Sequence, residues 1–159
     1  MKKIAFLIVI LSLVISSCSS SKTVVKHQKT PSSKADKIIA EALKYKGVIY
    51  KFGGTTKRGM DCSGLIYVAY ASQNVALPRV SRDMAKRGRK TAINKVNTGD
   101  LLFFKTNKRR KGINHVGLVV SHKNGQIRFV HATTSRGVIV SSLSEKYWKN
   151  AFVKATKIL

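Results

Sequence analysis

After Gly99 the hydrophobic pattern of this sequence changes its period, and that change limits the fold more than any other feature. Beyond it, "DLLFFK", "HVGLVVS", "IRFVHA", "GVIVSSL" and "FVKATKIL" are short runs rich in β-branched and aromatic residues. Gly, Asn and Ser separate most of them, as turns between strands require. Before Gly99 the apolar residues recur at helical spacing. Ala35, Ile38, Ile39, Ala42 and Leu43 form one face of a helix. Ser33 is placed to cap it, Asp36 completes a capping box, and Gly47 is its stop. A second helix is expected from about Cys62 to Gln73, with Asp61 as its cap and Leu65, Ile66, Val68 and Ala69 facing inward. Ser81 is expected to cap a third, short helix ending at Gly88. "VIYKFGGTTKRGM", between the first two helices, reads as a loop with a short extended start. Helices first and strands afterwards predict an α+β domain, its N-terminal helices packed on an antiparallel sheet of about five strands. The basic run "KTNKRRKG", 105–112, falls between the first two strands and is expected as an exposed loop.

The N-terminus carries a different signal. Met1-Lys2-Lys3 precedes the apolar run "IAFLIVILSLVI", which is too short for a comfortable membrane span and suits a signal-peptide core. It leads into "ISSC", ending at Cys18. Small residues before a cysteine resemble a bacterial lipobox, in which that cysteine is lipidated and becomes the mature N-terminus. The alternative is an ordinary secretory signal or uncleaved anchor with an incidental cysteine. Residues 19–33 are polar, rich in Ser, Thr and Lys, and contain Pro31, as a tether would be. The organisation expected is a signal peptide over 1–17, a lipidated cysteine and flexible tether over 18–33, and one domain over 34–159. Such a chain would sit in the cell envelope, held to a membrane by the lipid on Cys18. Ser19, not aspartate, follows Cys18, which points to the outer membrane facing the periplasm in a diderm host.

Charge and cysteine count sharpen this reading. The 31 Lys and Arg against 6 Asp and Glu give a formal charge of +25, a field that attracts nucleic acid, anionic lipid or acidic envelope polymers. The signal peptide argues against nucleic acid, and the strands lack an aromatic stripe interleaved with basic residues. The chain has two cysteines. If Cys18 carries lipid, Cys62 has no disulfide partner within the chain, and a lone thiol in an oxidising compartment is a liability unless it is buried or used.

Cys62 stands at the entrance of the apolar stripe "DCSGLIYVAY", in the first turn of the second helix. Free N–H groups and the helix dipole there favour a thiolate. Ser63 and Gly64 are small and leave room for a substrate backbone. Of the four histidines, His27 falls in the tether and His122 in an expected turn, both as solvated surface groups. His115 begins one strand and His131 ends the next, inside apolar surroundings. Each alone reads as a structural histidine; together with Cys62 they form the set used for nucleophilic acyl transfer. No acidic residue or second cysteine has metal-ligand spacing, so neither metal nor cofactor is expected.

"YKFGG", "DCSGLIYVAY", "LPRVS", "TGDLLFF", "HVGLVV" and "RFVHATTSRGVIVSSL", in that order, resemble the NlpC-type cell-wall peptidases, papain-like cysteine hydrolases of bacterial peptidoglycan. The resemblance runs from about Ala35 to Leu159. It implies Cys62 as nucleophile, His115 as general base and then acid, and His131 as the polar residue that orients His115. Tyr50 matches a family tyrosine whose hydroxyl helps hold the oxyanion, or is an ordinary loop aromatic. The Cys62 backbone N–H is a second oxyanion donor candidate. Asp61 and Ser63 match positions near the substrate groove, although Asp61 serves equally as a helix cap. Ser81 and Arg82 could reach a stem-peptide carboxylate, or Arg82 is a solvated charge. Asp100 reads as a turn residue. The family includes enzymes that cut within the stem after D-glutamate and others that cut cross-links next to diaminopimelate. The implied function is an envelope-anchored, monomeric cysteine endopeptidase acting on peptidoglycan peptides. The alternative is a non-catalytic wall- or polyanion-binding lipoprotein of the same fold.

One local signal opposes the triad. Asn124-Gly125 is the strongest short hairpin signal. A plain two-residue turn there would set His131 opposite Leu118, with His115 on the other face of the sheet. The triad needs both rings on one face. Asn124-Gly125 is therefore expected to lose to a longer or bulged connection; direct pairing of the two histidines would centre the hairpin on Lys123.

Overall fold

A computed structural model describes residues 33–107, 109 and 111–159. The expected signal peptide, Cys18, His27 and nearly all of the tether lie outside the described residues. Helix α1 (Lys34–Leu43) begins at the capping box: the Asp36 N–H donates to Ser33 Oγ at 3.0 Å and the Ser33 N–H to Asp36 Oδ2 at 3.1 Å. It buries Ile38, Ile39 and Ala42, whereas Leu43 is exposed. The helix is capped at Lys44, before the expected stop at Gly47. Two short strands, β1 (Thr55–Thr56) and β2 (Gly59–Met60), pair within the segment expected as a loop. Helix α2 (Cys62–Ala71) starts behind Asp61, which accepts the Gly64 N–H at 2.6 Å.

The third helix differs from expectation. Helix α3 (Ser81–Met84) is one turn long; Val80 is its cap and gives no side-chain hydrogen bond, so Ser81 lies inside the helix. The chain beyond it turns into strand β3 (Arg89–Thr91), followed by a 3-10 turn at Ile93–Lys95. Then come β4 (Leu101–Phe104), β5 (His115–Lys123), β6 (Gln126–Thr133), β7 (Gly137–Ser142), a short helix α4 (Lys146–Ala151) and β8 (Phe152–Lys157).

The α+β class is as expected, with six strands in the main sheet among the described residues and not five. They lie in the order β3-β8-β4-β5-β6-β7, each pair antiparallel. The additional strand, β3, is an edge strand carrying Arg89 and Lys90. Charges blunt an edge against foreign pairing and also erase the apolar pattern that marks an inner strand.

The sheet is covered on both faces. In β4, Leu101 and Phe103 join the core under α1 and α2, with Leu65, Ile66, Val116, Leu118 and Val130. Leu102 and Phe104 point the other way, to a second core with Val119, Phe129, Trp148 and Ala155. The alternation follows the two-residue period of a strand.

The β5–β6 hairpin shows how the opposed signals are reconciled. Asn124 and Gly125 form the two-residue turn, with φ of 50° and 73°, and Lys123 pairs with Gln126. Local propensity holds at the turn itself, so the longer loop is not formed and the bulged alternative is the one realised. The register then shifts by one residue across Val120, from Ser121 opposite Arg128 to Val119 opposite Phe129 and Leu118 opposite Val130. That bulge puts His131 across from Gly117, two residues from His115. The two histidines share a face, as expected, diagonally and not as a direct pair.

Candidate active site

Cys62 is the first residue of α2 and is 8% exposed. The peptide N–H groups of Val116, Ser63 and Cys62 itself lie against its sulfur and favour the thiolate. Burial outweighs them and, with the Asp61 charge, pushes the thiol up to about 11. The N–H groups favour the thiolate as expected, but a helix N-terminus stabilises an anion by a modest amount and desolvation in an apolar wall costs more, so the thiol form is favoured. Gly64 also has a different use from the one expected. A Cβ there would lie 2.1 Å from the Gly54 carbonyl oxygen, so the missing side chain admits the protein's own loop, not a substrate.

Two limbs of one cleft meet at Cys62. One, of about 520 Å³, is lined by His115, Arg136, Tyr147 and Trp148 among others; the second, of about 440 Å³, is lined by Asp61, Ser63, Arg79, Ser81, Arg82 and Lys111 among others. Tyr50, Phe52, Cys62 and Asn114 line both. The structure thus brings Tyr50, Asp61, Cys62, Ser63, Ser81, Arg82 and His115 to one cleft, and sets His131 behind His115. His122 lies in β5, not in a turn, and its Nδ1 is 2.8 Å from the Val96 carbonyl oxygen. Asp100 is the turn residue expected: its Oδ2 accepts the Asn97 N–H at 2.8 Å.

His115 Nε2 and His131 Nδ1 are 2.9 Å apart, and His131 Nε2 is 3.0 Å from Ser141 Oγ. Trp148 stacks on the His115 ring at 5.3 Å and meets His131 edge-on at 4.5 Å. This aromatic wall keeps water from the pair. Burial pushes His115 down to about 4. Burial, His115 and Arg136 together hold His131 well below the ordinary imidazole range. Both rings are therefore neutral at pH 7. Cys62 and His115 line the same limb of the cleft, and a neutral thiol and a neutral imidazole can exchange a proton without a standing ion pair.

The other limb is built around the Asp61 carboxylate. Arg79 grips it with both guanidinium nitrogens at 2.9 Å. The Gly53 N–H donates to Oδ2 at 2.8 Å, and Ser63 Oγ lies 3.2 Å from Oδ1 and accepts from Arg79 at 3.0 Å. Burial raises the Asp61 carboxyl, but Arg79 and the two N–H groups outweigh it and hold the group below its ordinary value. Asp61 is thus both helix cap and cleft wall. Arg79, Trp148 and Ser141 are not among the site residues expected from sequence. Arg79 stands in the quoted "LPRVS", but its partner is 18 residues away, beyond any local spacing rule.

The model of the NlpC/P60 family matches residues 47–157. The chain is 36% identical over 124 residues to the Escherichia coli (strain K12) murein DD-endopeptidase MepS/murein LD-carboxypeptidase, covering 77% of this chain and 62% of that protein. It thus spans less than two thirds of that relative's length. It is 35% identical over 162 residues to the probable endopeptidase NlpC of the same organism, covering 96% and 97% of the two chains. The crystal structure of an NlpC/P60 family protein from Bacillus cereus aligns with a TM-score of 0.72 at 25% identity, over 81% of this chain and 41% of that one. A helix-borne cysteine, a histidine pair on an antiparallel sheet and these likenesses agree: the chain belongs to the NlpC/P60 family.

Proposed function

We propose that this chain is an envelope cysteine endopeptidase that hydrolyses peptide bonds in peptidoglycan through Cys62, His115 and His131. The observation that carries the reading is the buried His115–His131 bond of 2.9 Å behind a cleft that Cys62 and His115 share. The names of the relatives, a murein DD-endopeptidase and a probable endopeptidase, support the substrate class.

The proton positions follow from one requirement. To act as base, His115 needs a lone pair on Nδ1, so its N–H sits on Nε2 and donates to His131 Nδ1. The Cys62 sulfur attacks the carbonyl carbon while its proton moves to His115. The oxyanion takes hydrogen bonds from the Cys62 N–H and the Tyr50 hydroxyl. His115 returns the proton to the leaving amine, leaving a thioester on Cys62. Water, deprotonated by His115, then hydrolyses that thioester and restores the thiol. Asp61, Ser63, Ser81 and Arg82 line the limb that receives the peptide, with Arg82 as the cation for a stem carboxylate. Lipidation of Cys18 would hold the domain at a membrane, with 18–33 as its tether, and the +25 charge would favour anionic envelope polymers.

Mass spectrometry of muropeptides released from sacculi by the full chain tests this. The reading expects shortened stems or split cross-links, with one new amine per cut. Binding to sacculi with no new amine would support the non-catalytic alternative instead.

A further inference from the structure

Three polar side chains lie buried in series on one face of the sheet: His115, 8% exposed, His131, 0%, and Ser141, 3%. They come from β5, β6 and β7. The sheet period aligns them, since Phe129 pairs with Ser141 and His131 with Ile139, so that Ser141 is the diagonal neighbour of His131 on β7. The two links are 2.9 and 3.0 Å. We infer that Ser141 is a positioning residue: its Oγ is the terminal acceptor that holds His131, and through it His115, in the tautomers that leave His115 Nδ1 free as the base. This rests on the proposed role of His115.

The number of ring hydrogens fixes the direction of the chain of bonds. A neutral imidazole has one N–H. If His115 carries it on Nε2, then His131 Nδ1 must accept, and the His131 N–H lies on Nε2, pointing at Ser141 Oγ. Without that oxygen the N–H would be buried and unsatisfied in the one tautomer the base requires. The reversed chain, with the Ser141 hydroxyl donating, puts the proton on His115 Nδ1 and removes the base. When His115 gains its proton, the positive charge strengthens both links, so the acceptor matters most in the charged state. The ring neighbours of the pair are Phe104, Phe129 and Trp148, and the Arg136 charge acts on His131; Cys62 and Glu145 share a cleft limb with His115, a limb His131 does not line. None of these offers a carboxylate to His131.

The test is nitrogen-15 NMR of the histidine rings in the full chain, which reads each tautomer directly and needs no substrate. In the wild type both rings are expected to carry the proton on Nε2. Ser141→Ala should mix the tautomers of both rings and lower kcat about tenfold, with KM little changed. Ser141→Thr keeps the hydroxyl and should keep both the wild-type shifts and kcat. A wild type with the His131 proton on Nδ1, or ring shifts unchanged in Ser141→Ala, would overturn the inference. So would a Thr variant whose shifts match those of the Ala variant. If the tautomers are as expected but sacculi are not cut, the proposed function fails and the tautomer assignment stands.

Discussion

Asp61 has more donors than a helix cap uses. The Gly53 and Gly64 N–H groups, the Ser63 hydroxyl and the Arg79 fork all converge on its two oxygens. The Arg79 side chain is 33% exposed and that of Asp61 is 9%, so the pair is partly screened by solvent. Lys in place of Arg79 keeps the charge and loses the fork. Arg79→Lys is expected to cost about 1–2 kcal/mol of stability, read by urea denaturation, and to weaken substrate binding. An unchanged midpoint would show that the fork adds nothing. His115 makes a second prediction at this scale. Its base form is lost as pH falls through about 4, so the acid limb of kcat/KM should lie near there. A limb near pH 6.5 would mean an imidazole in contact with water.

Among the elements, two glycines separate space from backbone freedom. Gly125 has φ of 73° and nothing within 4 Å of the position a Cβ would take. Gly125→Ala should therefore cost about 1 kcal/mol, the price of a left-handed residue alone. Gly64→Ala would drive a methyl into the Gly54 carbonyl oxygen at 2.1 Å. It should cost at least about 3 kcal/mol and displace the start of α2, with activity falling in step. Denaturation midpoints of the two variants check the order, and equal losses would contradict it. The elements themselves were largely legible in the sequence. The Ser33–Asp36 box marked α1, Asp61 marked α2, and short runs rich in β-branched and aromatic residues marked β4 to β8. Strand β3 was hidden because its residues are edge charges. Helix α4 was hidden because six residues with no side-chain cap show no period. Within the site, Cys62 and the two histidines were legible from their neighbours. Arg79, Trp148 and Ser141 were not, because each meets its partners across distant strands and loops. The Val120 bulge left no residue signature, yet the demand that both rings share a face required some such shift.

For the whole molecule, two properties follow from charge. His115 is held at about 4, below its ordinary value of 6.5. As pH falls from 6.5 the unfolded chain takes up its proton first, so stability must decline between about pH 6.5 and 4. His131, also held low, steepens that decline. Thermal melts across this range should show a falling Tm, and His131→Asn should flatten the slope; a flat wild-type profile would contradict the buried neutral pair. The net charge of +25 acts at longer range. Binding to sacculi should weaken steeply as salt rises, since exposed charges are screened. Salt-independent binding would assign retention to the cleft instead. If Cys62 supplies the nucleophile, the decisive comparison is of new amines released from sacculi by the full chain and by a folded Cys62→Ser variant. Steady release is expected from the wild type and a loss of at least about a thousandfold from the variant, with an unchanged melt. Release at a comparable rate by the folded Cys62→Ser chain would contradict that role for Cys62.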